Sequence, residues 1–364
     1  MIKTVLKKQF TLSVLILILM NCTNKENDFF TIDINSAKEQ PLLLSDIADN
    51  IEAIELEMTD SSLVNIREIS RIHYTGKYIV VCELRSIMIF DKKGKFLLRI
   101  GSVGQGPDEY VAAINLAVDI KNERLYILCI SGKIICYDFE GNIIDKTPTG
   151  YYNKGITNYI YYANDNLLYL AEKIETVNEN KTKISYLYTI GNNLSISDSL
   201  EIHKIQTEHY GAAGFNTDYM CSDGENTYLY FGDVTANPLV LDTLYQLINN
   251  QLIPYLNLRF NNKGINIAGE KEVTILYLYK SSRYVFCRFA NNIMEKTYCF
   301  YYDIKTGQGY KSIGVFNDDI HTKEIVRIRP FDSYSNMFYY LYTNIDDTAK
   351  EEPNPTLYVG KLKK

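Results

Sequence analysis

The chain has 364 residues and a formal net charge of −6, with 46% hydrophobic residues, 31 Tyr, 15 Phe and no Trp. A chain this acidic lacks the basic surface that neutralises phosphates, so we expect no nucleic acid partner. Its length would ordinarily indicate two or three domains, but it has only 8 Pro and no Pro-, Ser- or Gly-rich linker. Because Tyr and Phe favour strands, we predict one continuous β domain.

The first 21 residues have the pattern of a signal peptide. Lys3, Lys7 and Lys8 form a positively charged start, and the apolar stretch from Phe10 to Met20 follows them. That stretch is too short to span a hydrocarbon core of about 30 Å, which takes about 20 residues. Cys22 follows after Asn21 and leads into a polar run, an arrangement that resembles a bacterial lipoprotein signal.

In a lipoprotein the Cys22 thiol would carry a diacylglycerol, and its new amino group would usually be acylated as well. More than one acyl chain gives stable anchoring, so the partner expected at Cys22 is a membrane. An ordinary secretory signal and an uncleaved anchor remain the alternatives. Cleavage before Cys22 would take the formal net charge to about −9.

The first predicted strand runs from Ile51 to Met58, where apolar and acidic side chains alternate. This alternation is typical of a half-buried strand at the edge of a sheet. The preceding segment, Pro41 to Ala48, is predicted to pack on the rim of the domain with one short helical turn.

A near-repeat identifies the fold. The segment Phe90–Phe96, read Phe-Asp-Lys-Lys-Gly-Lys-Phe, returns 47 residues later as Tyr137–Ile143, read Tyr-Asp-Phe-Glu-Gly-Asn-Ile. Upstream of each copy, Cys82 and Cys129 end strand-like runs at the same offset. A period in the forties with several strands per unit is typical of β-propeller blades.

Six such units can be assigned along the chain, but the last has only three predicted strands. These are Ile325–Ile328, Met337–Thr343 and Thr356–Lys361. Since the strand Ile51–Met58 has no blade of its own, we predict that it joins the last blade and closes the ring. The predicted fold is all-β, a six-bladed β-propeller of four-stranded antiparallel blades.

A glycine-rich loop follows the first unit, with Gly101, Gly104 and Gly106 before Pro107. Its spacing matches neither a dinucleotide-binding loop nor a P-loop, so we interpret it as a tight crossover between blades. Its remaining side chains are the candidate ligand-binding residues at the mouth of the central channel, and they are Gln105, Glu109 and Tyr110. For Glu109 and Tyr110 we favour the alternative role of capping backbone amides.

The segment Leu97–Tyr110 looks like the blade linker of NHL-type propellers. More closely, the chain resembles the six-bladed propeller lipoproteins of the Bacteroidetes group, and Asp242–Leu247 with Pro254–Tyr255 matches that family as well. The resemblance implies a signal peptide at 1–21, a tether and rim segment at 22–40 and one propeller domain at 41–364. It also implies a location in the cell envelope, as an outer-membrane lipoprotein facing the surface or the periplasm. The family has no established common activity.

Cysteines and histidines indicate no specific chemistry. The pairs Cys129–Cys136 and Cys287–Cys299 each flank a turn, and they could form disulfides or be small buried side chains. No cysteine or histidine spacing matches a zinc site, and no known catalytic motif is present. We therefore predict no catalytic residue, no metal and no cofactor.

The sequence leaves two functions open. The first is a lipid-anchored binding or scaffold propeller that engages a protein, peptide or glycan. The alternative is a metal-assisted hydrolase or lyase with its site at the mouth of the channel. The second requires His and carboxylate side chains to converge on a common metal position.

Overall fold

The repeated Asp-x-x-Gly segments form the tight turns that the sequence predicts. In the computed structural model, Asp91 Oδ1 accepts hydrogen bonds from two backbone amides of its own turn, and Asp138 Oδ1 does the same 47 residues later. Gly94 and Gly141 complete these turns with φ angles of 88° and 89°. Glycine adopts this left-handed region without steric cost, which explains its place in both copies.

The structure describes residues 30–152, 158–177, 180–206, 219–231, 242–260, 273–291, 296–331, 334–343 and 353–364. The chain enters the fold through three strands and a short helix, namely β1 (Phe30–Asp33), β2 (Lys38–Glu39), α1 (Leu44–Ile47) and β3 (Ala48–Glu55). Single 3₁₀ turns lie at Ile34–Ser36 and Ile66–Glu68.

Blades 1 to 3 are four-stranded antiparallel sheets whose strands follow one another in the chain. Blade 1 consists of β4 (Ile69–Tyr74), β5 (Tyr78–Glu83), β6 (Ile87–Asp91) and β7 (Phe96–Arg99). The two-residue strands β8 (Ser102–Val103) and β9 (Glu109–Tyr110) pair with each other beyond it. Blade 2 consists of β10 (Ala113–Asp119), β11 (Arg124–Cys129), β12 (Ile134–Asp138) and β13 (Ile143–Lys146). Blade 3 consists of β14 (Asn158–Ala163), β15 (Asn166–Val177), β16 (Asn180–Ile190) and β17 (Ile196–Gln206).

Blades 4 to 6 each take up one strand from the beginning of the chain. Blade 4 consists of β18 (Met220–Ser222), β19 (Thr227–Tyr230), β20 (Thr243–Ile248) and β21 (Gln251–Arg259). Blade 5 consists of β22 (Val273–Lys280), β23 (Tyr284–Asn291), β24 (Lys296–Asp303) and β25 (Gln308–Ile313). The short pair β26 (Phe316–Asn317) and β27 (Ile325–Val326) precedes blade 6, whose own strands are β28 (Arg329–Phe331), β29 (Tyr334–Tyr342) and β30 (Thr356–Leu362).

The ring is closed by β3, as the sequence predicts. This strand pairs antiparallel with β30 and supplies the outer strand of blade 6, with Ile51 opposite Gly360 and Ile54 opposite Leu357. Upstream, β1 adds in parallel to the outer edge of blade 4, and β2 adds in parallel to the outer edge of blade 5. The start of the chain therefore runs around the outside of half the ring.

Two predicted boundaries in blade 6 are wrong. The segment Ile325–Ile328 is not the inner strand, because Ile325–Val326 pairs with Phe316–Asn317 and the inner strand is β28. The closing strand is Ala48–Glu55 rather than Ile51–Met58. Its burial pattern repeats every third residue, so the alternation of apolar and acidic residues did not locate its start.

The core lies between the blades, because both faces of each central sheet are covered. In β5, Val80 and Cys82 pack towards blade 2, while Ile79 and Val81 pack towards blade 6. Alternate side chains of one strand thus belong to two different hydrophobic clusters, as the two-residue period of a strand requires. This packing explains why β5 is buried almost throughout.

Candidate functional site

The two faces of the ring differ in the lengths of their connections. On the short-turn face, tight turns such as 75–77 and 249–250 join the first strand of a blade to the second and the third to the fourth. The opposite face, here called the long-connection face, has the links between blades, such as 56–68 and 100–112. Binding residues occur disproportionately on loops held by a rigid scaffold, so the long-connection face is the candidate functional face.

Five exposed apolar side chains lie on adjoining segments of the long-connection face of blades 1 and 2. Between 36% and 54% of each is exposed, and they are Leu63, Ile66, Leu84, Val111 and Ile130. Backbone hydrogen bonds join their segments: Leu84 N donates to Glu68 O, Ala113 N to Leu84 O and Ile130 N to Ala112 O, over 2.7 to 3.2 Å. We call these five residues the apolar strip.

A groove lies at one end of the apolar strip, where blade 6 meets blade 1. Its volume is about 680 Å³, and it is lined by the segments 63–67, 341–343 and 353–355. Leu63 and Ile66 of the apolar strip form one wall, and two prolines, Pro353 and Pro355, belong to the opposite wall. The buried Oγ1 of Thr343 also lines the groove and hydrogen-bonds to none of the residues that the structure describes. We call this cavity the seam groove.

Asn354 of blade 6 holds the seam groove together. Its side-chain oxygen accepts a hydrogen bond from Val64 N at 2.8 Å, and its amide nitrogen donates to Ser62 O at 2.7 Å and Glu57 O at 2.9 Å. On the side of blade 1, the buried carboxylate of Glu83 accepts a hydrogen bond from Asn65 N. Burial raises the pKa of Glu83, and the Asn65 hydrogen bond only partly offsets this. One side chain from each blade thus fixes the linker 57–65.

The structure gives the three candidate residues of the glycine-rich loop different environments. Gln105 is exposed, whereas Tyr110 is 2% exposed and donates a hydrogen bond to Ile100 O at 3.2 Å. The half-buried Glu109 accepts a hydrogen bond from Gly106 N at 2.8 Å, which is a backbone-capping contact. Ligand binding by these three residues stays a prediction.

The loop is attached to blade 2 through the turn between β11 and β12 and through β13. Lys133, in the turn between β11 and β12, donates hydrogen bonds to Pro107 O and Glu109 O. Asp108 forms an ion pair with Lys146 on β13, the outermost strand. A side chain on Gly104 would overlap the Glu109 carboxylate, so the glycine is needed for this close approach.

Polar side chains of the inner strands connect the blades with one another. His73 Nε2 of blade 1 donates to Leu116 O of blade 2 at 3.0 Å, and Asn115 of blade 2 accepts from a backbone amide of β14 in blade 3. The guanidinium carbon of Arg71 lies 5.4 Å from the ring centroid of Tyr159, which places a blade 1 cation against a blade 3 ring. The polar side chains of Arg71, His73 and Asn115 are each less than a tenth exposed. Their contacts join the blades around the axis.

A buried ion pair joins blade 4 to blade 5 on the short-turn face. Lys280 Nζ lies 2.6 Å from Asp223 Oδ2, and its ammonium also lies over the rings of Tyr228 and Tyr255. Burial alone would raise the pKa of Asp223, but hydrogen bonds from Lys280 and Tyr228 outweigh it and hold the pKa at about 2. These contacts hold blades 4 and 5 together and compensate the buried charge of Lys280.

The six cysteines of the predicted mature chain are all described, and they are buried thiols outside any disulfide. Cys129 and Cys136 belong to clusters on opposite sides of blade 2, so their side chains diverge. Burial raises the pKa of Cys129 to about 12 and that of Cys136 to about 11. These thiols therefore behave as small apolar core residues, the second of the two roles considered from sequence.

No group of three or more His, Cys, Asp or Glu side chains that could hold a metal ion occurs among the described residues. Within the same ranges, no helix has the length and apolar character needed to cross a bilayer. The predicted signal peptide and Cys22 lie outside the described residues.

The fold and these surfaces define a six-bladed β-propeller with one elaborated face. A family model described as a domain of unknown function, DUF4934, matches residues 29–364, and the chain therefore belongs to that family. No match to this chain was found among curated proteins.

Three solved structures to which this chain is similar differ in how closely their folds match it. A "Putative exported protein" from Bacteroides fragilis NCTC 9343 is 16% identical, with a TM-score of 0.68, and the match covers 92% of this chain and 100% of that chain. The RRP9 WD40 repeats are 10% identical, with a TM-score of 0.43 over 89% of this chain and 99% of that chain. BamB from Moraxella catarrhalis is 8% identical, with a TM-score of 0.43 over 84% of this chain and 100% of that chain. The first of these supports the fold assignment.

Neither the apolar strip nor the seam groove was identified from the sequence. Leu84 lies two residues after the strand-like run that ends at Cys82, and Ile130 lies one residue after the run that ends at Cys129, so neither stood out as an exposed apolar residue. The groove requires two segments about 290 residues apart, as the contact of Val64 with Asn354 shows. A partial signal was available in the linker before the first blade, residues 56–68, since binding residues often lie on such loops.

Proposed function

We propose that this protein is a lipid-anchored binding propeller of the bacterial cell envelope. It binds an extended peptide or a segment of another protein in the seam groove and across the apolar strip. The anchor is the acylated Cys22, and the location is the outer membrane. The observation that carries the proposal is the apolar strip, because exposed apolar side chains that lie together mark interaction sites far more often than isolated ones do.

The chemistry of this surface favours a peptide over a glycan. The apolar strip offers aliphatic side chains, and the ring of Tyr342, which lines the seam groove, is only partly exposed to a sugar that would stack on it. The seam groove adds prolines and two polar side chains, Asn65 and Arg67, that could fix the direction of a bound chain. Sites of this kind combine mostly apolar walls with a small number of placed polar groups.

Site-specific photocrosslinking in cells tests the binding surface. A photoreactive amino acid at Leu84 or Ile130 should give a discrete crosslinked product. The matched control is Leu97 on the outer strand of blade 1, which is 42% exposed but lies outside the strip. An Ile130→Glu substitution should reduce the Leu84 product at least about tenfold, since hot-spot losses exceed about 1.4 kcal/mol. Equal crosslinking from Leu97, or no discrete product from either strip position, would contradict the proposal.

Metabolic labelling tests the anchor separately. Labelled palmitate should enter the wild-type protein and should be lost on Cys22→Ala, with the protein moving from the membrane to the soluble fraction. Unchanged labelling of the variant would refute acylation at Cys22. That result would not bear on the proposed binding of a peptide to the seam groove and the apolar strip.

A further inference from the structure

The outer hairpin of blade 4 has no charged residue. Residues 243–258, which comprise β20 and nearly all of β21, contain no Asp, Glu, Lys, Arg or His, although 23% of the chain is charged. In blade 1 the corresponding hairpin, Ile87–Arg99, has one aspartate, three lysines and an arginine. The third and outer strands of each of the other five blades, with their turns, include both signs of charge.

The uncharged hairpin also exposes apolar side chains. Ile248 and Ile253 lie on it, and Phe30 lies beside it on β1, opposite Leu256. Each of the three is between 41% and 43% exposed. These exposed side chains make this part of the ring's edge apolar, and the ion pair of Asp33 with Arg259 lies at the other end of β1. We call these three residues with residues 243–258 the blade 4 edge.

The predicted anchor lies within a short reach of the same edge. Cys22 precedes Phe30 by eight residues, and eight residues span at most about 26–29 Å when fully extended. Because β1 is parallel to β21 and its first residue pairs with Leu256, the described chain begins on the outer side of blade 4. An acylated Cys22 would therefore hold blade 4 close to the membrane surface.

We infer that the blade 4 edge is a membrane-contacting surface, which lies against the lipid interface when the protein is anchored through Cys22. This inference rests on the proposed acylation of Cys22. Uncharged residues with exposed Ile and Phe suit the boundary between headgroups and acyl chains, where a charged side chain would be costly. In a ring of six, blade 1 lies opposite blade 4, so the apolar strip of blades 1 and 2 lies on the far side of the ring from the bilayer. The orientation leaves the proposed binding surface accessible from water.

Headgroup quenching measures this orientation directly. Full-length protein purified with its anchor is reconstituted into liposomes that contain a small fraction of nitroxide-headgroup lipid. A fluorescent amino acid is placed at position 253 or, as the matched control, at position 97, whose native residues are 43% and 42% exposed. We expect several-fold stronger quenching at position 253 than at position 97. An Ile248→Glu substitution should reduce the quenching at position 253, and Leu97→Glu should leave it unchanged.

Flotation of the liposomes separates the two possible failures. Protein that does not float with the lipid lacks the anchor, which refutes the proposed acylation and the inference with it. Protein that floats but shows equal quenching at both positions, or stronger quenching at position 97, overturns the inference alone. The inference is also overturned if another protein or a second copy of this chain covers position 253 and prevents its quenching.

Discussion

Replacing Gly94 by alanine should weaken the closure of the ring, whereas the same change at Gly141 should not. The two glycines occupy equivalent positions in the repeated turns, with φ angles of 88° and 89°. A Cβ on Gly94 would lie 2.0 Å from the backbone oxygen of Glu55, at the end of the closing strand β3. A Cβ on Gly141 would meet only the end of the Leu98 side chain, at 3.1 Å.

The difference between the two variants can be worked out from these contacts. Both replacements place alanine in the left-handed region, which costs about 1–2 kcal/mol. The Leu98 side chain can move aside, so Gly141→Ala should cost little more than this. The Glu55 oxygen is backbone and can move only if β3 shifts, which adds about 1–3 kcal/mol, the usual range for overpacking. Gly94→Ala should therefore lower the free energy of unfolding by about 2–5 kcal/mol.

Urea unfolding of the two variants and the wild type measures these changes. Hydrogen exchange monitored by mass spectrometry adds a local readout, since Gly94→Ala should accelerate exchange in residues 48–55. Gly141→Ala should leave that segment as protected as in the wild type. Equal destabilisation by both variants, with no local change in β3, would refute the role of Gly94 as a docking point for the closing strand.

Three further predictions concern the blade contacts. The pKa of Asp223 lies at about 2, below the ordinary 3.8, so its stabilising contribution is complete above about pH 4 and is lost as the pH falls through 2. Asp223→Asn should therefore cost about 2 kcal/mol in urea unfolding at pH 7, and the gap to the wild type should narrow towards pH 2. Asn354→Ala removes three hydrogen bonds across the seam and should cost about 2–3 kcal/mol, with faster exchange in residues 57–64. The six buried thiols should resist alkylation in the native protein and react fully in urea; rapid native labelling of any of them would contradict their burial.

Much of the fold could be predicted because local signals repeat. The Asp-x-x-Gly turns at Asp91 and Asp138 set the period, and each turn is held by bonds from its own aspartate. The closing strand was predictable for a different reason, since one blade lacked a strand and one strand lacked a blade. Its start was misplaced because β3 is buried at every third residue rather than every second.

Contacts between segments that are distant in the chain could not be predicted from local sequence patterns. Residues 30–39 contain only two short strands, β1 and β2, whose partners lie more than 200 residues away. Parallel addition to the edge of an existing sheet leaves no pattern in the added strand beyond a buried apolar residue such as Ile32. The seam groove and the blade 4 edge depend on the same kind of long-range contact, so neither could be located before the ring was assembled.

Closure of the ring by β3 is the feature on which the proposed site depends, because the seam groove exists only where blade 6 meets blade 1. An engineered disulfide tests this closure most directly. Glu52 and Val359 are opposite each other in β3 and β30, and cysteines at these two positions should crosslink on mild oxidation, whereas a pair at positions 52 and 98 should not. Failure of the 52–359 pair to crosslink in the folded protein, or equal crosslinking of the control pair, would contradict closure by β3.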